Sequence, residues 1–133
     1  MALYILDTDT CIYWLKGDEE VDRRIVSCGL RHTSITVITE CELFYGALES
    51  LKADKNLAAI TELRKKVRTL HTSDGVAYQF GKIKAELEKK GLPVDNADLL
   101  IASIALTHDA ILVSNNTEHF KRIKGLKLEN WAA

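Results

Sequence analysis

The sequence predicts an α/β sandwich in which helices flank a mainly parallel central sheet. Short apolar or β-branched runs alternate with longer helical patterns, and one of these patterns is apolar on almost every side. Strands that alternate with helices are typical of βαβ units, whose crossover helices cover both faces of a parallel sheet. With 133 residues, 47% hydrophobic and 28% charged, the chain is predicted to form one domain, residues 1–133.

The first elements are predicted from apolar runs and from helical spacing. Residues 3–6 are a continuous apolar run, and a helical pattern at 8–15 follows at once. Residues 18–28 repeat apolar side chains at helical intervals, and the β-branched run 33–35 indicates the second strand. Residues 37–51 are predicted as a helix with an apolar stripe made of Ile38, Cys41, Tyr45 and Leu48.

The later elements are identified by their ends as much as by their interiors. Residues 57–66 are amphipathic, and their cationic last turn suits the negative end of the helix dipole. Residues 73–90 begin at a capping serine and stop before a glycine and a proline, which predicts a complete helix. The set is completed by a strand at 67–70, the apolar helix at 97–106, and strands at 111–113 and 127–128.

Composition excludes several classes of protein. No apolar run reaches the roughly 18 residues of a membrane helix, and the N-terminus lacks the basic segment and cleavage site of a secretory signal. We therefore expect a cytoplasmic protein. Three widely spaced cysteines favour neither disulfides nor zinc, so we expect reduced, buried thiols at Cys11, Cys28 and Cys41. A net charge of −1 means that any RNA binding must depend on local basic patches or on a metal.

Three acidic residues stand where a solvated surface would not place them. Asp7 follows the first strand, at the edge where open α/β sheets bind ligands. Glu42 lies on the predicted apolar stripe of its helix, and Asp98 opens the most apolar helix. Burying an unpartnered carboxylate costs several kcal/mol, and no Lys or Arg stands at helical spacing beside Glu42 or Asp98. A hard divalent cation, Mg²⁺ or Mn²⁺, would supply the missing charge.

Each of these acids also has a purely structural interpretation. Asp7 is placed to cap the helix that follows it. Thr39-x-x-Glu42 and Asp95-x-x-Asp98 both have the spacing of a capping box, in which the fourth residue bonds back to the first. Capping explains each acid singly, whereas a shared cation explains all three together.

Four motifs, in order along the chain, resemble those of PIN domains. Asp7-Thr8-Asp9 after a strand is similar to their D-T-N opening, and residues 39–47, TECELFYGA, resemble the second motif, an acid before L-x-Y-G-A. Residues 98–102, DLLIA, resemble the third motif, D-x-x-I-A. Residues 112–116 with Phe120, and then 125–131, resemble the closing stretch. The length of the chain and its final tryptophan, Trp131, resemble most those of VapC-type toxins of bacterial and archaeal toxin–antitoxin pairs.

This resemblance implies a PIN-like three-layer sandwich with the activity of a Mg²⁺-dependent endoribonuclease. RNA phosphodiesters would be hydrolysed by metal-activated water, and Mn²⁺ would substitute for Mg²⁺. Asp7, Glu42 and Asp98 match the family's metal ligands, Asn116 matches a fourth catalytic position, and Ser114 is expected to support the site through hydrogen bonds. A cognate antitoxin protein and a second copy in a homodimer are the implied partners, with no membrane involved.

Two further acids depart from the family pattern. Asp9 stands where the family usually has asparagine, and we interpret it as a helix cap, with enlarged metal binding as the alternative. Asp95 is an extra acid one helical turn before Asp98. Its simpler interpretation is an N-cap, and its alternative role is to support the metal through the ligands.

Three other functions are compatible with parts of the sequence. Asp7-x-Asp9 also opens haloacid-dehalogenase-like phosphohydrolases, in which Asp7 would be a nucleophile, although residues 111–113 lead into Ser-Asn-Asn and not into an acidic pair. A non-catalytic RNA-binding PIN domain would imply a decayed site, yet all three principal acids are present. A thiol nucleophile, Cys11 or Cys41, would need a histidine partner, and nothing in the sequence fixes one in space.

Overall fold

The structure, a computed structural model, describes residues 2–132. The elements in chain order are β1 (Tyr4–Leu6), α1 (Thr8–Leu15), α2 (Glu19–Cys28), a 3-10 helix (Leu30–His32), β2 (Thr33–Thr36), α3 (Val37–Glu49), α4 (Ala53–Lys66), β3 (Arg68–Leu70), α5 (Asp74–Lys89), α6 (Asn96–Thr107), β4 (Ile111–Val113), α7 (Thr117–Phe120) and β5 (Lys127–Glu129). These strands form one sheet in the order β3-β2-β1-β4-β5, and every pairing is parallel. The predicted parallel α/β architecture is confirmed.

Helices cover both faces of the sheet, because consecutive residues of a strand point to opposite sides. Ile5 is fully buried in a cluster to which α5 and α6 contribute most. Its neighbour Leu6 is fully buried in a second cluster, formed with residues of α1 to α4. Phe120 belongs to the first cluster and Trp131 to the second. The described chain is therefore a three-layer sandwich, as predicted. No helix between residues 2 and 132 is long and apolar enough to cross a membrane.

The order of the strands positions the site. β1 lies at the centre, and the chain adds strands first on one side of it and then on the other. In open α/β sheets, ligands bind in the crevice beyond the carboxyl ends of the strands at this point of reversal. Asp7 follows β1 and Ser114 follows the adjacent β4, so both residues lie at this crevice.

Most predicted boundaries agree with the structure to within two residues. The exception is α4, which begins at Ala53 and not at residue 57, because its largely polar first turn lacks the apolar spacing that identifies a helix. The sequence also fails to predict the 3-10 helix and α7, since each is too short to show a helical period.

The buried face of α3 differs from the predicted apolar stripe. The helix buries Thr39, Glu40, Leu43 and Ala47. The predicted stripe is wrong at three positions, because the structure exposes Cys41, Tyr45 and Leu48. Polar side chains occupy the buried face because they have partners there: Glu40 Oε2 lies 2.6 Å from Arg64 Nε and accepts a hydrogen bond from Thr69. An apolar pattern cannot reveal a face of this kind.

The three cysteines have different environments. All three are free thiols. Cys11 is buried, Cys28 is half-buried, and Cys41 is exposed. The expectation that Cys41 is buried is wrong because this residue lies on the solvent-facing side of α3.

Candidate functional site

Asp7 lies at the floor of the crevice and is 5% exposed. Its backbone N–H donates to the Val113 carbonyl at 2.8 Å, which continues the pairing of β1 with β4. The Ser114 hydroxyl donates to Asp7 Oδ2 at 2.7 Å, as expected for a supporting residue. Asp7 occupies the N-cap position of α1, but its side chain makes no capping hydrogen bond. The capping interpretation of Asp7 is therefore wrong, since its carboxylate accepts the hydroxyl of Ser114, just beyond β4, and not the N–H groups that a cap binds.

The segment from Ser114 to Asn116 connects several of the predicted site residues. The Ser114 backbone N–H donates to the Glu129 carbonyl at 2.9 Å, which fixes the segment against β5. The Asn116 backbone N–H donates to Ser114 Oγ at 2.9 Å, and its side-chain Nδ2 donates to Asp98 Oδ2 at 3.3 Å. The structure therefore brings Asp7, Ser114, Asn116 and Asp98 together.

Asp9 belongs to the same network. Its Oδ2 accepts the backbone N–H of Asn115 at 3.0 Å and lies 3.5 Å from Ser114 Oγ. Its Oδ1 lies 3.1 Å from the Thr10 hydroxyl, which is equally close to the Val113 carbonyl. The interpretation of Asp9 as a helix cap is wrong, because it connects α1 to the loop after β4 and not to the start of its own helix. Asn115 is a contributor that sequence reasoning missed, and no local signal marks its backbone N–H.

Glu42 reaches the site from an exposed position on α3. Its Oε1 accepts the hydroxyl of Thr8, the residue next to Asp7, at 2.5 Å. The capping-box interpretation is wrong because α3 begins at Val37, and Thr36, not Thr39, is the N-cap that accepts the Thr39 N–H. Thr8 was not predicted as a site residue, although its place inside the Asp7-Thr8-Asp9 motif is a signal that could have identified it.

Asp98 lies in the first turn of α6 and is half-buried. Asp95 is the N-cap of that helix and accepts the Ala97 N–H at 3.2 Å, which confirms the simpler interpretation of Asp95. The Asp98 carboxylate instead accepts the Asn116 amide, so the predicted reciprocal capping box is only half formed.

Like charges dominate the electrostatics of this crevice. Burial, opposed by the Ser114 hydrogen bond and reinforced by Asp9, raises the pKa of Asp7 to about 7. Burial also raises the pKa of Asp98, and the nearby carboxylates of Asp95 and Glu42 raise it further. Between residues 2 and 132, none of the acids at Asp7, Asp9, Glu42 and Asp98 forms a salt bridge. The crevice thus gathers negative charge, which His119, close enough to Asp98 to lower its pKa, offsets only in part.

This donor set suits a hard cation bound mainly by water. Within the described chain, no three His, Cys, Asp or Glu side chains are close enough to form a metal-ligand cluster by themselves. Mg²⁺ usually keeps several waters, through which carboxylates that form no tight cluster of their own can still hold it. The oxygen donors here, which form no salt bridges in the described chain, fit Mg²⁺ or Mn²⁺ better than a thiolate- or imidazole-binding metal.

A groove extends from the acidic crevice between α1, α3 and α4. Its volume is about 540 Å³, and Glu42 lies among its lining residues. The lining is mostly apolar, with Ile12, Leu15 and Ile60 among its larger side chains, and it also includes Lys16 and Lys55. The groove therefore provides a mixed apolar and basic surface beside the acids.

Neither candidate thiol is suited to act as a nucleophile. Cys11 is fully buried, and burial raises the pKa of its thiol. Its sulfur has a backbone carbonyl, that of Leu6, as its hydrogen-bond partner. Cys41 is exposed, and no hydrogen bond joins its sulfur to a histidine in the described chain. The thiol hypothesis therefore lacks the base that it requires.

Comparison with known proteins identifies the family. The PIN domain profile matches residues 4–126. The chain is 36% identical over 131 residues to the tRNA(fMet)-specific endonuclease VapC of Salmonella typhimurium, covering 98% of this chain and 99% of that protein. It is 37% identical over 133 residues to ribonuclease VapC2 of Haemophilus influenzae, with 98% and 99% covered. The structure of DNA-bound VapBC from Salmonella typhimurium matches with a TM-score of 0.92 and 36% identity, over 98% of this chain and 99% of that chain.

The chain belongs to the PIN-domain family. Its full-length similarity to proteins named VapC also confirms the sequence-based prediction of a VapC-type ribonuclease. The haloacid-dehalogenase-like interpretation, with Asp7 as a nucleophile, is wrong, because the family match extends over most of the chain and β4 leads to Ser114, not to an acidic pair.

Proposed function

We propose that this protein is a Mg²⁺-dependent endoribonuclease that acts in the cytoplasm as the toxin of a toxin–antitoxin pair. The observation that carries the proposal is the convergence of Asp7, Glu42, Asp98 and Asn116, from four different parts of the chain, at one crevice where none of the acids forms a salt bridge within the described chain. The relatives named as ribonucleases support the reaction class. This domain is proposed to comprise residues 1–133.

Asp7, Glu42 and Asp98 would hold the metal, with Mn²⁺ as a substitute for Mg²⁺. When bound, the ion would activate a water for attack on phosphorus and would stabilise the charge that develops on the phosphate. Ser114 orients Asp7 through its hydroxyl, and Asn116 orients Asp98 through Nδ2. Because Asn116 donates to Asp98 through Nδ2, its Oδ1 atom would be the one that binds the metal or accepts a hydrogen bond from a water.

Binding of the RNA backbone is assigned chiefly to this site and not to the predicted basic patches. Those patches comprise Arg64, Lys65, Lys66 and Arg68, and later Lys121, Arg122, Lys124 and Lys127. Four of these eight cations have acidic partners: Arg64 with Glu40, Lys65 with Glu62, Lys121 with Glu118, and Lys127 with Asp109. Paired cations contribute less to the capture of phosphate than free ones. These ion pairs therefore agree with an RNA substrate that is bound mainly at the site of cleavage.

The proposed partners are a cognate antitoxin protein and a second copy of the chain. The antitoxin is supported by the similarity to a solved VapBC complex. The homodimer is proposed from the family resemblance.

Brief expression in cells, followed by mapping of the new ends in cellular RNA, tests the proposed function. We expect discrete cleavage sites that are absent from cells expressing the Asp98→Asn variant at the same level. Intact cellular RNA in the presence of soluble, folded wild-type protein would instead support the non-catalytic RNA-binding alternative.

A further inference from the structure

We propose that Thr8 is a positioning residue that holds Glu42 toward the metal through a chain of threonine hydroxyls that begins in the core. The inference rests on the proposed function, because Glu42 needs this position only if it binds the ion. Thr8 is the first residue of α1 and follows Asp7 directly. Its Oγ1 atom lies 2.5 Å from Glu42 Oε1 and 3.1 Å from Thr39 Oγ1.

The three hydroxyls can be ordered by counting protons. A hydroxyl has one proton to donate, and a carboxylate only accepts, so the Thr8 proton goes to Glu42. Thr8 Oγ1 then accepts the proton of Thr39, whose Oγ1 lies 3.5 Å from Thr36 Oγ1. The resulting order of donation is Thr36 to Thr39 to Thr8 to Glu42. This direction favours the ionised form of Glu42 as the final acceptor.

Glu42 depends on this contact more than the other proposed ligands depend on theirs. Asp7 is buried and held by Ser114, and Asp98 is half-buried and held by Asn116. Glu42 is exposed on a long side chain, and its hydrogen bond from Thr8 is the contact that the structure gives its carboxylate. Without Thr8, the carboxylate would sample many rotamers that point away from the crevice.

The buried hydroxyl of Thr39 is explained by its contact with Thr8. Threonine inside a helix commonly bonds back to a carbonyl of the preceding turn. Thr39 is fully buried in the first turn of α3, yet its hydroxyl contacts Thr36 and Thr8. The N-cap hydrogen bond of α3 is formed by the Thr39 backbone N–H, so the Thr39 hydroxyl is not needed for it. Its position is explained if it orients Thr8.

The test measures Mn²⁺ binding to purified, metal-free protein by the electron paramagnetic resonance signal of free Mn²⁺. We expect Thr8→Val to raise the dissociation constant about tenfold to a hundredfold, the range typical of residues that orient metal ligands. Thr8→Ser retains the hydroxyl and should bind Mn²⁺ within about threefold of wild type, on the same reasoning. Thr61→Val is the matched control, because among residues 2–132 the Thr61 hydroxyl bonds only to the Leu57 carbonyl of its own helix.

A double-mutant cycle separates positioning from a general structural effect. In the Glu42→Gln background, Thr8→Val should cause no further loss of Mn²⁺ affinity. In the otherwise wild-type protein, the melting temperature of Thr8→Val in EDTA should match that of Thr8→Ser. Thr39→Val should weaken binding in the same direction as Thr8→Val, and this second variant replaces the first if Thr8→Val does not fold. Unchanged Mn²⁺ affinity in Thr8→Val, or an equal loss of affinity in the wild-type and Glu42→Gln backgrounds, would overturn this inference and leave the proposed function standing. Failure of the wild-type protein to bind Mn²⁺ would overturn the inference and the proposed function together.

Discussion

Replacement of Asp98 by asparagine, or of Glu42 by glutamine, is expected to slow RNA cleavage about a thousandfold or more while the protein stays folded. The amide preserves the shape of the side chain and removes the negative charge that holds the cation. A catalytic metal contributes several kcal/mol of transition-state stabilisation, and each 1.36 kcal/mol corresponds to a factor of about ten in rate. The measurement is single-turnover cleavage of a labelled RNA at a fixed Mg²⁺ concentration.

Asp95→Asn provides a matched control for the loss of charge. Asp95 caps α6, and asparagine caps a helix about as well as aspartate, so the variant should fold normally. It removes a negative charge beside Asp98 without removing a proposed ligand or a hydrogen bond to one, so its cleavage rate should stay close to that of wild type. Full activity in Asp98→Asn would mean that Asp98 has only a structural role.

Removal of divalent ions is the second change with a large expected effect. EDTA should abolish cleavage, and addition of Mg²⁺ or Mn²⁺ in excess should restore it. The reason is electrostatic: the crevice contains several carboxylates, and without a cation these would repel the phosphate that must approach them. Burial raises the pKa of Asp7 to about 7, and a bound cation would favour the charged form of this carboxyl group.

The assay for metal dependence uses one protein preparation in three conditions: as purified, in chelator, and in chelator followed by excess Mg²⁺. The Asp98→Asn protein, purified in the same way, reports any contaminating nuclease. Sustained cleavage by the wild-type protein in chelator, above the level of that control, would exclude the metal mechanism.

The sequence predicts the position of Asp7 well and the role of Asp9 poorly, for physical reasons. An acid that follows an apolar strand is placed at the carboxyl edge of a parallel sheet by the fold class alone. Asp9 is close to a helix start, where a cap is the usual function of an acid. Its actual partner is the backbone of Asn115, which is 106 residues away along the chain. No local pattern distinguishes a cap from a long-range contact of this kind.

Glu42 was identified by the family motif and by an incorrect argument about burial. The predicted stripe placed it on a buried face, whereas the structure exposes Glu42 and buries Glu40, which has Arg64 and Thr69 as partners. A buried acid with partners and an exposed acid aimed at a site look alike in a hydrophobic pattern. They are separated only when the neighbouring helix and strand are in place.

Whether Asp7, Glu42 and Asp98 share one cation is tested most directly by thermal melts of wild type and Asp98→Asn in EDTA and in excess Mn²⁺. Two carboxylates about 5 Å apart repel each other by roughly 3 kcal/mol at an effective dielectric constant of 20, whereas loss of a helix cap typically costs about 1 kcal/mol. In EDTA, Asp98→Asn should therefore melt no lower than wild type. Excess Mn²⁺ should raise the wild-type melting temperature through binding, with a smaller rise in the variant. A variant that melts clearly lower in EDTA, with neither protein responding to Mn²⁺, would contradict a shared cation and make these acids structural.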